Sequence, residues 1–129
     1  MRYLVNAFSL DMLSLGPGER RFRLVVRELS VEEFCREIDY NSLPVPDIPA
    51  CRVGHESTLR LINDLCGLQY RMGYNCSRSD VYISSYPVEL IIIQIAFRLK
   101  EGEVVDAETL KHMVRTKNIR FLKVVVDSS

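Results

Sequence analysis

The chain has 129 residues, 47% of them hydrophobic, and its 17 Lys plus Arg are matched by 17 Asp plus Glu. That length predicts one domain, residues 1–129, with enough apolar material for a core, and the balanced charge excludes a global basic field for non-specific duplex binding while leaving a local basic cleft open. The longest apolar run, Leu90 to Phe97, is broken by Gln94 and falls short of a membrane span, and Met1 to Asn6 lacks a signal-peptide core, so a cytoplasmic protein without a membrane partner is expected.

Arg2 to Phe8 reads as a first strand, stopped by Ser9. Leu10 to Leu15 reads as a short helix ended by Gly16-Pro17-Gly18. Arg21 to Leu29 alternates apolar and polar residues, which predicts a strand with Phe22, Leu24 and Val26 on one face. Ser30 then caps a helix to about Ile38, with Glu33 at the capping-box position. Tyr40 to Val53 carries Pro44, Pro46 and Pro49 and reads as an extended loop. A helix follows from His55 to Cys66 and stops at Gly67, a residue suited to a left-handed C-terminus. Leu68 to Asp80 is irregular. Val81 to Tyr86 reads as a short strand ending at Pro87.

Val88 to Leu99 reads as a long strand. Its odd positions (Ile91, Ile93, Ile95, Phe97, Leu99) are all apolar, while the even face turns polar from Gln94 onward. Glu101-Gly102 marks a turn, Asp106 caps a helix to about Lys117, and Ile119 to Asp127 is a last strand. The expected fold is α/β: a mixed sheet of about five strands flanked by helices.

The four cysteines form no C-x-x-C pair, and the only histidines are His55 and His112, so zinc-ligand spacing is absent and neither a metal nor a cofactor is expected. Cys35 and Cys66 fall in helical-period apolar patterns and are expected in the core. In a reducing compartment free thiols are expected, with a Cys51–Cys76 bond left open.

Gly54-His55-Glu56-Ser57-Thr58 stands where a loop becomes a helix. Helix starts present unpaired N–H groups and a positive dipole end, and so favour anions. An imidazole there can give or take a proton near neutrality. The stretch therefore describes a phosphate site with a proton donor beside it; it also describes an ordinary helix start with a surface histidine. Gln94 and Arg98 share a strand face about 13 Å apart, or come closer to each other and to Glu101 if the chain turns helical. Arg98 suits a phosphate fork or an ion pair with Glu101. Asn6 and Ser9 sit where the first strand ends, a common place for ligand-binding polar residues and equally for turn chemistry.

Three stretches carry a resemblance: Leu4 to Leu13 (LVNAFSLDML), Gly54 to Thr58 with Leu61 to Gly67, and Gln94 to Gly102 (QIAFRLKEG). In this order they resemble the viral anti-CRISPR ring nuclease family, long catalogued as a domain of unknown function in crenarchaeal viruses and having cellular relatives. The likeness runs from about Leu4 to Asp127. It implies a two-fold homodimer with a ligand cleft at the interface, binding cyclic tetra-adenylate and cutting it to linear di-adenylate without a metal. Such cleavage switches off type III CRISPR signalling, in the host cytoplasm if the protein is viral. The resemblance assigns His55 as general acid, with the substrate's 2′-hydroxyl as nucleophile. Arg98 would hold the scissile phosphate and Glu101 would orient Arg98 or a water. Asn6, Ser9, Gly54, Ser57, Thr58, Val81 and Gln94 would line the ring site. An arginine that the family often carries corresponds to Arg78 or Arg71. The competing class is a regulatory dimer that binds a cyclic nucleotide or nucleic acid without cutting it. Duplex DNA ranks low, because Lys111, Arg115 and Lys117 are opposed by Asp106 and Glu108 on their helix.

Overall fold

A computed structural model of the chain describes residues 1–97, 99 and 104–129. Five strands are formed by Arg2–Val5 (β1), Phe22–Leu29 (β2), Ala50–Cys51 (β3), Val88–Ile95 (β4) and Ile119–Ser128 (β5). Three α-helices are Val31–Ile38 (α1), Glu56–Cys66 (α2) and Ala107–Arg115 (α3), and 3-10 turns cover Leu10–Met12 and Val45–Asp47. The sheet order is β2-β5-β4-β1-β3. β1 runs parallel to β3 and β4, and β5 runs antiparallel to β2 and β4. The expected single α/β layer with a mixed five-stranded sheet is therefore present.

Local chemistry sets the helices. The Ser30 hydroxyl accepts from Glu33 N (3.1 Å) while the Glu33 carboxylate accepts from Ser30 N (3.0 Å), the reciprocal capping box. Ser30→Ala should destabilise the fold by about 1 kcal/mol, read as a lower denaturation midpoint at constant slope. Gly67 adopts φ 64° and closes α2, as the sequence indicates. Asp106 caps α3 through Thr109 N (2.8 Å), and the left-handed Lys117 (φ 61°) turns the chain into β5.

Both faces of β4 are buried, as expected for a strand in the middle of a sheet. Ile91 and Ile93 join Leu4, Ile119 and Phe121 against Phe34, Ile38, Leu61 and Ile62 of the helices. The Phe34 and Phe121 rings stand 4.5 Å apart. Leu90 and Ile92 face the other way, with Val5, Val124 and Val126, and are covered by Leu13, Val81 and Ile83. At the amino ends of β1 and β4, a half-buried quartet joins Arg2 to Glu37 and to Glu89 (3.0 Å), and Lys123 to Glu37 (3.2 Å) and Glu89 (2.6 Å).

Several expectations need correction. β1 ends at Val5, three residues early, and the helix expected over Leu10 to Leu15 is only the 3-10 turn Leu10–Met12. Val81 to Tyr86 is not a strand: Ile83 alone bridges to Leu13, donating to the Met12 carbonyl (2.7 Å) and accepting from Ser14 N (3.1 Å). The sheet position beside β1 is taken by Ala50–Cys51, which pairs with Tyr3 and Leu4 from inside the supposed loop. The β2 face expected in the core is largely exposed.

The free-thiol expectation also fails. Cys35 of α1 is bonded to Cys66 of α2 (Cα–Cα 5.2 Å), and Cys51 of β3 to Cys76 (Cα–Cα 4.6 Å). Helix α1 lies against α2, so two cysteines that a helical period places inward meet each other. The second pair is aligned by backbone, since Ser77 N donates to the Cys51 carbonyl (3.1 Å). The turn Glu101-Gly102 lies outside the described residues.

Candidate active site at the carboxyl ends of β1 and β4

The parallel strands β3, β1 and β4 point the same way, so their carboxyl ends form one rim. Ligands of open α/β sheets collect at such rims. Asn6 follows β1, and Val53-Gly54-His55 leads from β3 into α2. Arg52 N donates to the Leu4 carbonyl (2.8 Å) and Val53 is fully buried, so this connection is pinned to the sheet one residue before Gly54.

His55 occupies the N-cap position of α2 with extended backbone (φ −127°, ψ 128°), and its carbonyl accepts from Leu59 N (3.1 Å). Its imidazole makes no capping hydrogen bond and is exposed. The ring is thus not used for holding the helix. A cavity of about 170 Å³ opens beside it, lined by Asn6, His55, Thr58, Ile93, Ile95, Phe97 and Leu99. Its walls are mostly apolar and its polar groups are an amide, an imidazole and a hydroxyl at a helix start. Such a site can seat an anion or a base edge and can pass a proton at the His55 ring.

The other residues singled out from sequence are distributed around this cavity. Thr58 lines it, whereas Ser57, equally buried, is not among the lining residues. Gly54 is half-buried in the connection. Gln94 is exposed and, lying between Ile93 and Ile95 on β4, points to the opposite sheet face. Ser9 and Val81 line a separate depression with Asp11, Met12, Asp80 and Tyr82. The Ser9 hydroxyl there accepts from Asp11 N (3.2 Å), and two carboxylates make that depression a poor phosphate seat. Arg78 lies in a further groove beside Cys51, Arg52, Tyr74 and Cys76 rather than with His55; Arg71 borders another groove with Glu56 and Arg60. Arg98 and Glu101 lie outside the described residues. Residues that sequence reasoning missed as site walls are Ile93, Ile95, Phe97 and Leu99. Their signal was present in the unbroken apolar odd positions of the long strand, which run past the sheet into the cavity.

The profile of the STIV B116-like family matches residues 2–117. The chain belongs to the STIV B116-like family. The solved structure of B116 of Sulfolobus turreted icosahedral virus (STIV) is similar to this member, with a TM-score of 0.76 at 32% identity, covering 95% of this chain and 97% of that one. No curated protein sequence gives a significant match. The residues matched by the family profile, 2–117, include β1, α2 and β4. Among the described residues of this family member, no helix is long and apolar enough to cross a membrane, and no group of three or more metal-ligating side chains converges.

Proposed function

We propose that this STIV B116-like protein is a metal-independent ring nuclease that binds cyclic tetra-adenylate and cleaves it to linear di-adenylate, damping type III CRISPR signalling. The observation that carries this reading is the His55 imidazole: it is unused by the helix it begins, exposed, and set at the mouth of a cavity beside Asn6. The resemblance over the three sequence stretches supplies the substrate.

In this reading a ribose 2′-oxygen attacks the adjacent phosphorus and the 5′-oxygen leaves. The 2′-hydroxyl proton passes to solvent, His55 protonates the departing oxygen, and the product carries a 2′,3′-cyclic phosphate. The α2 start favours the phosphate's negative charge. Arg98 and Glu101 are assigned from the resemblance to hold the phosphate and to orient that arginine. The cavity of about 170 Å³ in one copy is smaller than the several hundred Å³ of typical small-ligand sites. A ring of four nucleotides must therefore spread beyond it, which favours a homodimer whose two-fold cleft holds the ring and presents two copies of His55.

The test is incubation of the purified protein with cyclic tetra-adenylate in EDTA, followed by mass spectrometry. Linear di-adenylate ending in a cyclic phosphate is expected. An intact ring that binds tightly would move the protein to the sequestering class, and neither binding nor cleavage would end the reading.

A further inference from the structure

We propose that the cavity beside His55 is a purine pocket: it takes one adenine base, stacked on Phe97 and read at its edge by the Asn6 amide, while the phosphate stays outside at the mouth. The proposal rests on the ring-nuclease reading for the identity of the ring, and on the cavity's own chemistry for the base. Electrostatics keeps the phosphate out. Ile93, Ile95, Phe97 and Leu99 form the walls, and among the described residues no Lys or Arg lines the cavity. A phosphate carried inside would exchange water for hydrocarbon with no cation to meet it, and desolvating an unpaired charge is prohibitive. A neutral base loses little there and gains apolar contact. The start of α2 and the exposed His55 ring stand at the mouth, where a phosphate keeps part of its water and still meets backbone N–H groups.

Size points the same way. An apolar cavity of about 150 Å³ holds one benzene ring. The cavity here has about 170 Å³, which admits the inner part of a base without its sugar and phosphate. Phe97 lines the cavity yet is 39% exposed, so part of its ring is open to a base entering from solvent. An aromatic face of this kind contributes roughly 5- to 150-fold in affinity per stacked base, whichever base it is.

Base identity is then set at the edge. Thr58 is only 4% exposed, and neither its hydroxyl nor the Asn6 amide has a hydrogen-bond partner among the described residues. Both are therefore available to a guest. An amide offers a donor and an acceptor side by side. Adenine presents the matching pair, its amino group beside N7, and an asparagine meets it with two hydrogen bonds. Guanine presents two acceptors along the same edge, so one of the two bonds is lost. The Thr58 hydroxyl donates or accepts as required and does not discriminate. Asn6 is thus the residue that selects adenine, and Phe97 the residue that holds it.

The experiment uses the full chain, which has no tryptophan. Phe97→Trp therefore places a single indole at the cavity, and its emission reports a base stacked on it. AMP at millimolar concentration should quench that emission saturably, ribose 5-phosphate should leave it unchanged, and GMP should bind roughly tenfold more weakly. Adding Asn6→Ala should bring AMP and GMP together. With the ring itself, Phe97→Leu keeps an apolar wall but loses the stack, and should raise the Kd for cyclic tetra-adenylate roughly tenfold, whereas Phe97→Trp should bind it as the wild type does. Equal quenching by ribose 5-phosphate and AMP, equal AMP and GMP affinity with Asn6 present, or wild-type ring affinity in Phe97→Leu would overturn the proposal. If Phe97→Trp does not fold, saturation-transfer NMR on the wild type decides: irradiated protein methyls should reach the purine protons of AMP more strongly than its ribose protons, and the reverse order would overturn it. AMP stacking beside an uncut ring would keep the pocket and end the nuclease reading; a cut ring without AMP stacking would do the opposite.

Discussion

Removing both disulfides, as the Cys35→Ser/Cys66→Ser and Cys51→Ser/Cys76→Ser variants combined, is expected to give the largest loss of stability of any change of comparable size in this chain. The bonds span sequence separations of 31 and 25 residues. Constraint of the unfolded chain over loops of this length is worth about 3–4 kcal/mol each. The two loops overlap, so the losses will not add fully. Each pair alone should still lower the melting temperature by roughly 10 °C in a chain of this size. Thermal unfolding of the two double variants and the quadruple variant, with and without reductant in the wild type, checks this. A wild type whose transition does not move under strong reductant, with full thiol release shown by mass, would sink the prediction. The effect should extend to the site. The segment from Cys51 to Cys66 carries Gly54, His55, Ser57 and Thr58, and it is covalently held at both ends. Loosening either end lets the start of α2 drift from Asn6, and small displacements of reacting groups are costly.

His55→Ala is expected to slow ring opening by roughly 10²–10⁴-fold, the usual contribution of one positioned proton donor, or about 3–5 kcal/mol of barrier. Binding of the ring should persist, because in the proposed reading the α2 start and Arg98, rather than the imidazole, would hold the phosphate. The variant should also fold normally, since the imidazole makes no capping bond. His55→Asn sharpens the test. Asparagine is a good N-cap residue, so this variant should be as stable as the wild type or more so, by up to about 1 kcal/mol, yet equally slow. Single-turnover cleavage of cyclic tetra-adenylate, with binding measured in parallel, separates the two quantities. A His55→Asn variant retaining wild-type turnover would remove His55 from the mechanism.

The parts legible in the sequence are those whose causes are local. The Ser30–Glu33 box, the Asp106 cap and the Gly67 stop each depend on residues within a turn of one another, and each stands where its pattern indicates. What was hidden depends on distant partners. Ala50–Cys51 is too short and too near Pro49 to read as a strand, and becomes one only because Tyr3 and Leu4 are beside it. The apolar stretch at Val81 looks like a strand but covers the second face of the sheet, contributing Val81 and Ile83 to that cluster. Alternation in β2 suggested half-burial, but among the described residues its middle is exposed on both faces. The cysteine pairing needed the packing of α1 on α2 and of β3 on the Cys76 turn. At the site, His55 and Thr58 were legible as a helix start and Asn6 as a polar residue near a strand end; that they share one rim follows from the parallel pairing of β3, β1 and β4, which the residues alone do not give. Gln94 was placed by strand parity on the other face, and nothing in the spacing near Tyr74 to Ser77 told that Arg78 lies by the Cys51–Cys76 bond.

The overlap of the two disulfides has a topological consequence. Cys51 lies inside the loop closed by Cys35 and Cys66, and Cys66 lies inside the loop closed by Cys51 and Cys76. A protease that cuts the backbone once, anywhere between Cys35 and Cys76, therefore leaves both fragments tied to each other. The stretch so protected includes the exposed proline loop around Val45 and the exposed turn at Tyr74, the natural places for a first nick. A single cut there yields a two-chain molecule that still holds His55 in place, and separating the pieces requires a reductant as well as the protease.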